Sequence, residues 1–294
     1  MTHDATTAPA PSWWVLGGGF TGRAVSRALA QRGAEVHLTS TTEEGAHALR
    51  AQGWDAHTWR AGSALAPHRA ARALITFGPS QASLSELRAA IDACAERGAR
   101  RVYYLSSTSV HGPAGGAWID DAARVAPETA LGEARAEAER AYREECARAG
   151  VDGCALRLAG IYGPGRSGRV RFLAGTYRVP EGGPRYSNRI SARDAASALL
   201  TLDDAATRPD ACIVSDGSPF TIRGYADWMC AQLALPPLPD TPWSEVPARS
   251  RPFFAGNRRC RPSTLTALGW SPAFASVFEG LPLCWREEDS AAAV

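Results

Sequence analysis

Residues 14–25 read Trp14-Val15-Leu16-Gly17-Gly18-Gly19-Phe20-Thr21-Gly22-Arg23-Ala24-Val25. Three glycines stand at Gly17-x-Gly19-x-x-Gly22, between an apolar run and a helical pattern. In such a turn the first glycine permits a tight bend. The second lets backbone approach a pyrophosphate, and the third lets the helix pack closely on the strand. The helix N-terminus then presents backbone N–H groups to the phosphates. Trp13 to Leu16 reads as a short buried strand. Ala24, Val25, Ala28 and Leu29 recur at helical spacing, Gly33 supplies a stop, and Val36 and Leu38 alternate as a second strand. Strand, glycine turn, helix and strand together predict a dinucleotide-binding start.

The chain has 294 residues, enough for one large α/β domain or a core with a small second lobe. A formal net charge of +2 gives no electrostatic footprint for nucleic acid. All 32 basic residues are arginine. That excludes a Schiff-base lysine and a phosphate-loop lysine. The seven cysteines show no paired spacing and no Cys/His metal motif, so the reading is reduced thiols, a cytoplasmic location and no metal. No apolar run has the length of a membrane span or a signal core. Residues 1–11 and 287–294 read as disordered tails.

Further strand and helix patterns follow. His57 to Trp59, Ala73 to Phe77, Val102 to Leu105 and Cys154 to Leu158 read as strands. Leu84 to Cys94 and the charged Glu133 to Ala149 read as helices. The alternation predicts an α/β fold, a Rossmann-like doubly wound parallel sheet with a small C-terminal substrate lobe, and ligands at the carboxyl ends of the strands. Expected boundaries are 12–165 for the dinucleotide-binding domain, with 188–215 returning to it, and 166–187 plus 216–286 for the substrate lobe. The candidate cofactor-binding residues are Gly17, Gly19, Phe20, Thr21 and Gly22 in the loop, Ser40 and Thr41 after the second strand, Phe77 and Gly78, and Ser106.

More motifs follow in order: Ser106-Ser107-Thr108-Ser109-Val110-His111-Gly112, Trp118-Ile119-Asp120-Asp121, Leu156-Arg157-Leu158-Ala159-Gly160-Ile161-Tyr162-Gly163-Pro164-Gly165-Arg166, Asn188 to Asp194, and Leu268-Gly269-Trp270-Ser271-Pro272. Together they resemble the extended short-chain dehydrogenase/reductases, the NAD-dependent epimerase/dehydratase family, over about residues 12 to 282. The glycine spacing is closer to the family's atypical subgroups. The resemblance implies a serine that holds the substrate oxygen, matched here by Ser107. It also implies a Tyr-x-x-x-Lys pair that exchanges a proton and binds the nicotinamide ribose. Those two positions hold Leu131 and Arg135. Arginine keeps the charge, so Arg135 remains a candidate for the ribose. Leucine has no donor, acceptor or titrating group, so the usual proton relay cannot run through Leu131. Tyr162 and His111 are the replacement candidates, each set against a packing or structural role.

In place of the acidic residue that would bind the 2′-hydroxyl of NAD, the second strand ends Thr39-Ser40-Thr41-Thr42. This favours NADP, with Arg23 or Arg60 as phosphate partners. Glu43 and Glu44 oppose it if they turn inward, and NAD is the alternative. The expected activity is that of an oxidoreductase or epimerase on a hydroxyl or carbonyl group. The family implies a nucleotide-sugar substrate, whose anionic part Arg157, Arg166 and Arg189 could meet. The alternative is a catalytically inactive dinucleotide sensor, which Leu131 favours. A homodimer through the helix from Glu133 to Ala149 is implied by the family.

Overall fold

The computed structural model describes residues 11–79 and 82–292. Seven strands form the central sheet: β1 Trp13–Leu16, β2 Val36–Ser40, β3 Asp55–Thr58, β4 Arg72–Ile75, β5 Arg101–Ser107, β6 Asp152–Leu158 and β7 Ala211–Val214. Their order is β7-β6-β5-β4-β1-β2-β3. Strand β1 lies between β2 and β4, parallel to both, with Trp14 opposite His37 on one side and Ala73 on the other. The chain reverses its direction of winding here. In doubly wound sheets the crevice at the carboxyl ends of the two strands at this point receives the ligand.

Except for the edge strand β3, where only Ala56 is buried, the strands are buried along most of their length. All four residues of β1 are inaccessible, as are Val36, His37, Leu38 and Thr39 of β2. Continuous burial is what a parallel sheet covered on both faces requires. Helix α1 (Phe20–Gln31) follows β1, and α2 (Glu43–Arg50) follows β2, where the Thr42 hydroxyl accepts from the Gly45 N–H at 3.1 Å. Helix α3 (Leu84–Glu96) starts with a capping box of Ser83 and Glu86. Helix α4 spans Ala130–Ala149, one turn earlier than its charge pattern indicates. Its start is set by Thr129, whose hydroxyl accepts from the Gly132 N–H at 3.1 Å.

The chain divides into two compact units. One runs to Leu105 and includes Ala138–Ala155, and the other comprises Ser106–Glu137 and Leu156 onward. The second unit is therefore larger than the expected substrate lobe. Residues 114–121 belong to it because they bond to 257–264. Gly116 N–H donates to Asn257 O at 2.7 Å, Arg259 N–H to Ala117 O at 2.9 Å, and the Ser263 hydroxyl to Asp121 Oδ2 at 2.8 Å. These bonds are invisible to a reading of local pattern. The core of this unit collects Phe172, Tyr177, Phe220, Tyr225, Met229 and Leu281.

The expected C-terminal tail needs correction. Residues 287–292 continue helix α5, which spans Val277–Ala292. Glu288 accepts from the Gly165 N–H at 2.8 Å and Asp289 from Arg169 at 2.7 Å, so polar residues that resemble a loose tail are anchored. Residues 1–10 and 293–294 lie outside the described residues. All seven cysteines are free and buried. Among the described residues no helix is long and apolar enough to cross a membrane.

Candidate functional site

The glycine loop joins β1 to α1 within the first unit. Gly17 has φ +107°, a conformation L side chains rarely adopt. A Cβ there would lie 2.3 Å from Thr76 Oγ1. Thr76 stands just past β4, and its hydroxyl reaches the Leu16 and Gly17 carbonyls at 3.1 and 2.9 Å. From the other neighbouring strand, Thr39 Oγ1 accepts from Gly17 N–H at 3.1 Å and Thr39 O from Gly18 N–H at 2.8 Å. The loop is thus clamped from both sides by threonines that the sequence reading left unassigned.

The three motif glycines have separate physical reasons. A Cβ on Gly22 would lie 2.1 Å from the Gly17 carbonyl oxygen, so Gly22 lets the helix touch the turn. A Cβ on Gly19 would meet nothing within 4 Å. Gly19 is the N-cap of α1, is exposed, and gives the helix no side-chain cap. Open space beside an uncapped helix N-terminus is what a bound pyrophosphate needs. Thr21 is buried and Phe20 half-buried at the same turn. The residues present therefore fit a dinucleotide.

At the end of β2, Ser40 is half-buried and Thr41 exposed. Arg60 Nε donates to Thr41 O at 2.7 Å, which holds a guanidinium beside this turn. Arg23 instead folds back to the Gly18 carbonyl at 3.0 Å. Glu43 accepts from the Thr58 hydroxyl at 2.5 Å and pairs with Arg50. Those two partners hold its carboxyl below the usual range and commit its charge to β3 and α2. At the end of β4, Phe77 and Gly78 line a small hollow with Leu84, Leu87 and Tyr104.

The second unit holds the candidates for chemistry. Ser106 is buried and Ser107 half-buried at the end of β5. Ser107 Oγ accepts from the Ser109 N–H at 3.2 Å, which leaves its hydroxyl proton to donate. Leu131 and Arg135 lie in the first turns of α4, with Leu131 48% exposed and Arg135 half-buried. Gly132 is required there, since a Cβ would come within 2.8 Å of the Ser109 carbonyl.

The two replacement candidates occupy structural positions. His111 is 6% exposed. Its Nδ1 meets the Arg124 carbonyl at 3.2 Å and its Nε2 meets Arg157 Nη1 at 3.4 Å. Arg157 can only donate, so Nε2 is the acceptor and Nδ1 carries the proton. Neither nitrogen is then available as a base. Tyr162 is 3% exposed, its phenol packed where a Cβ on Gly280 would lie 2.1 Å away. Burial, then the charges of Asp216, Cys284, Asp194 and Glu279, push that phenol far above its ordinary range, the wrong direction for proton exchange. Of the arginines expected to meet an anion, Arg157 is buried on His111 and Arg166 is exposed. Arg189 lies over Phe220, Tyr225 and Phe253 at 4.9 to 5.7 Å. Against the expectation of no metal group, the first unit also brings together His37, Asp55, His57 and His68.

Residues 83–182 match the model of the NAD dependent epimerase/dehydratase family. No curated protein matches the chain. A functionally unknown conserved protein from Silicibacter pomeroyi has a similar structure, with 28% identity, a TM-score of 0.81 and 94% of this chain and 99% of that one covered. The UDP-glucose 4-epimerase of Thermotoga maritima, solved with UDP-glucose, is 16% identical with a TM-score of 0.76, covering 96% and 100%. That of Thermus thermophilus, solved with NAD, is 16% identical with a TM-score of 0.73, covering 93% and 99%. Residues 83–182 thus carry the sequence pattern of the NAD dependent epimerase/dehydratase family, and the chain around them has the fold of these structural relatives.

Proposed function

We propose that this protein binds a nicotinamide dinucleotide at Gly17–Gly22 and works as an oxidoreductase or epimerase on a hydroxyl or carbonyl of a nucleotide-sugar substrate. The observation that carries the reading is Gly19: an uncapped helix start with open space where a side chain would stand, directly after Gly17 and Gly18, which Thr39 and Thr76 hold in place. When bound, the dinucleotide supplies hydride transfer. The chain's residues supply binding and proton handling. In the first unit Gly19, Phe20, Thr21 and Gly22 offer backbone to the pyrophosphate, with Phe77 and Gly78 at the end of β4; in the second, Ser106 and Arg135 are the cofactor candidates that the resemblance implies. Ser107 donates its hydroxyl proton to the substrate oxygen. Leu131 cannot exchange that proton, and His111 and Tyr162 are committed to packing, so the exchange runs through solvent.

The same reading favours NADP over NAD. Glu43 is held by Thr58 and Arg50, and Arg60 is held beside Ser40 and Thr41, so the end of β2 presents hydroxyls and a cation. Titration of the intrinsic tryptophan fluorescence with each dinucleotide tests this. Arg60→Ala should weaken NADP by about tenfold and leave NAD within about twofold, since one charge-assisted contact is worth about 1.5–3 kcal/mol. Equal loss for both sinks the preference, and no binding of either sinks the function. Turnover on a panel of nucleotide sugars and simple carbonyls then decides catalysis. Binding without turnover points to the sensor.

A further inference from the structure

His37, Asp55, His57 and His68 form a cluster that the dinucleotide site does not use. One potential ligand atom from each lies within 4.8 Å of the others. We propose that this is a structural transition-metal site, best suited to zinc, with three imidazoles and one carboxylate as ligands.

The sheet itself assembles the donors. His37 on β2 is in register with Asp55 on β3, and Thr39 with His57. Asp55 and His57 are two residues apart on a strand, so both side chains point to one face. His68 comes from the segment between β3 and β4, pinned where Trp14 Nε1 donates to the His68 carbonyl at 3.2 Å. Asp55 Oδ2 is 2.5 Å from His37 Nδ1, and Oδ1 is 3.0 Å from His57 Nε2. The His68 ring stacks on His37 at 4.2 Å and lies 5.1 Å from His57.

The chemistry is specific. Neutral imidazole is the form that binds metal. Three nitrogens and one oxygen suit zinc, whereas calcium and magnesium take oxygen ligands. Tetrahedral zinc, about 2.0–2.1 Å from each donor, needs donors about 3.3 Å apart. Asp55 meets His37 through Oδ2 and His57 through Oδ1, and the four ligand atoms, within 4.8 Å of one another, would shift to reach that spacing around an ion. Four protein donors leave no open position, which marks a structural role: tying β2, β3 and the segment before β4 together. The fully buried Trp14 ring forms the wall at 5.0 Å from His37 and 5.6 Å from His57. Glu35 stands 3.6 Å from His37 Nε2, outside the ligand set.

The test uses the full chain, stripped with a chelator and titrated with zinc against a chromophoric competitor. The expected result is one equivalent bound per chain, with the thermal midpoint raised. His57→Gln and His68→Gln, both at half-buried positions, should each weaken binding by more than about 100-fold, the upper range for losing even an outer-shell partner. His47→Gln, an exposed histidine outside the cluster, should leave it unchanged. Cobalt(II) should give the visible bands of a four-coordinate nitrogen/oxygen site without thiolate charge transfer. This readout decides the matter on the unmutated chain even where a variant misfolds. No tight zinc, a thiolate spectrum, or affinity unaffected by both folded variants overturns the proposal and leaves a hydrogen-bonded His–Asp cluster.

Discussion

Alanine at Gly19 and at Gly22 separates dinucleotide binding from loop integrity. At Gly19 the added methyl meets no protein atom within 4 Å and φ is −71°, so the folded chain tolerates it. The stability change should stay within about 0.5 kcal/mol. A pyrophosphate against that backbone meets the methyl directly and must withdraw. Losing one hydrogen bond to a charged acceptor costs about 1.5–3 kcal/mol, or about 10- to 150-fold in Kd. At Gly22 the methyl falls 2.1 Å from the Gly17 carbonyl oxygen, which also takes the Thr76 hydroxyl. Overpacking of this kind costs about 1–3 kcal/mol, against at most about 1 kcal/mol gained from alanine in a helix. Gly22→Ala should therefore lose both affinity and thermal midpoint, and Gly19→Ala affinity alone. Fluorescence titration and thermal unfolding of both variants check this. Wild-type affinity in a well-folded Gly19→Ala protein refutes the reasoning, because Gly19 would then face no ligand.

Four further outcomes follow from the second unit. Ser107→Ala should lower kcat by about 100-fold with dinucleotide affinity retained, and Leu131→Tyr should raise turnover by restoring a titrating hydroxyl at an exposed position; steady-state kinetics reads both. Asp216 is raised to about 7, chiefly by burial and also by Asp194, against the opposing effects of the Ser218 N–H and Arg189. The folded chain thus keeps a proton that the unfolded chain, with an ordinary value near ~3.9, has lost. Stability falls as pH rises from about 4 to about 7, by up to about 4 kcal/mol. Urea unfolding should show Asp216→Asn gaining on wild type across that window, and a pH-independent difference refutes it. Deleting residues 287–294 should lower the thermal midpoint by several degrees, since Glu288 and Asp289 anchor residues 165–169; an unchanged midpoint refutes that anchor.

The parts of the fold that were legible are those dictated by local geometry. Gly17, Gly19 and Gly22 are readable because Gly17 and Gly22 answer backbone demands that only glycine meets and Gly19 leaves space for a ligand. The alternation of apolar runs with helical patterns is enough to yield the doubly wound sheet. Tyr162 and His111 were left between a catalytic and a packing role for one reason: whether a polar side chain reaches a ligand depends on distant partners, here Gly280 and Arg157. The four-residue donor group escaped because its members come from two strands and a connecting segment. Asp55-x-His57 at strand spacing, beside a histidine in the paired strand, was its available signal. The final helix turn read as a tail because its charges point to partners that no local pattern reveals.

The buried thiols turn this chain into its own reporter. Cys94, Cys146 and Cys154 belong to the first unit, and Cys212, Cys230, Cys260 and Cys284 to the second. A thiol reagent reaches each only when the structure around it opens. Timed alkylation read by mass spectrometry therefore clocks the opening of the two units separately in one unmodified sample. With no lysine in the chain, side-chain amines contribute no background. Adding dinucleotide or zinc to that sample would show which unit each one holds shut.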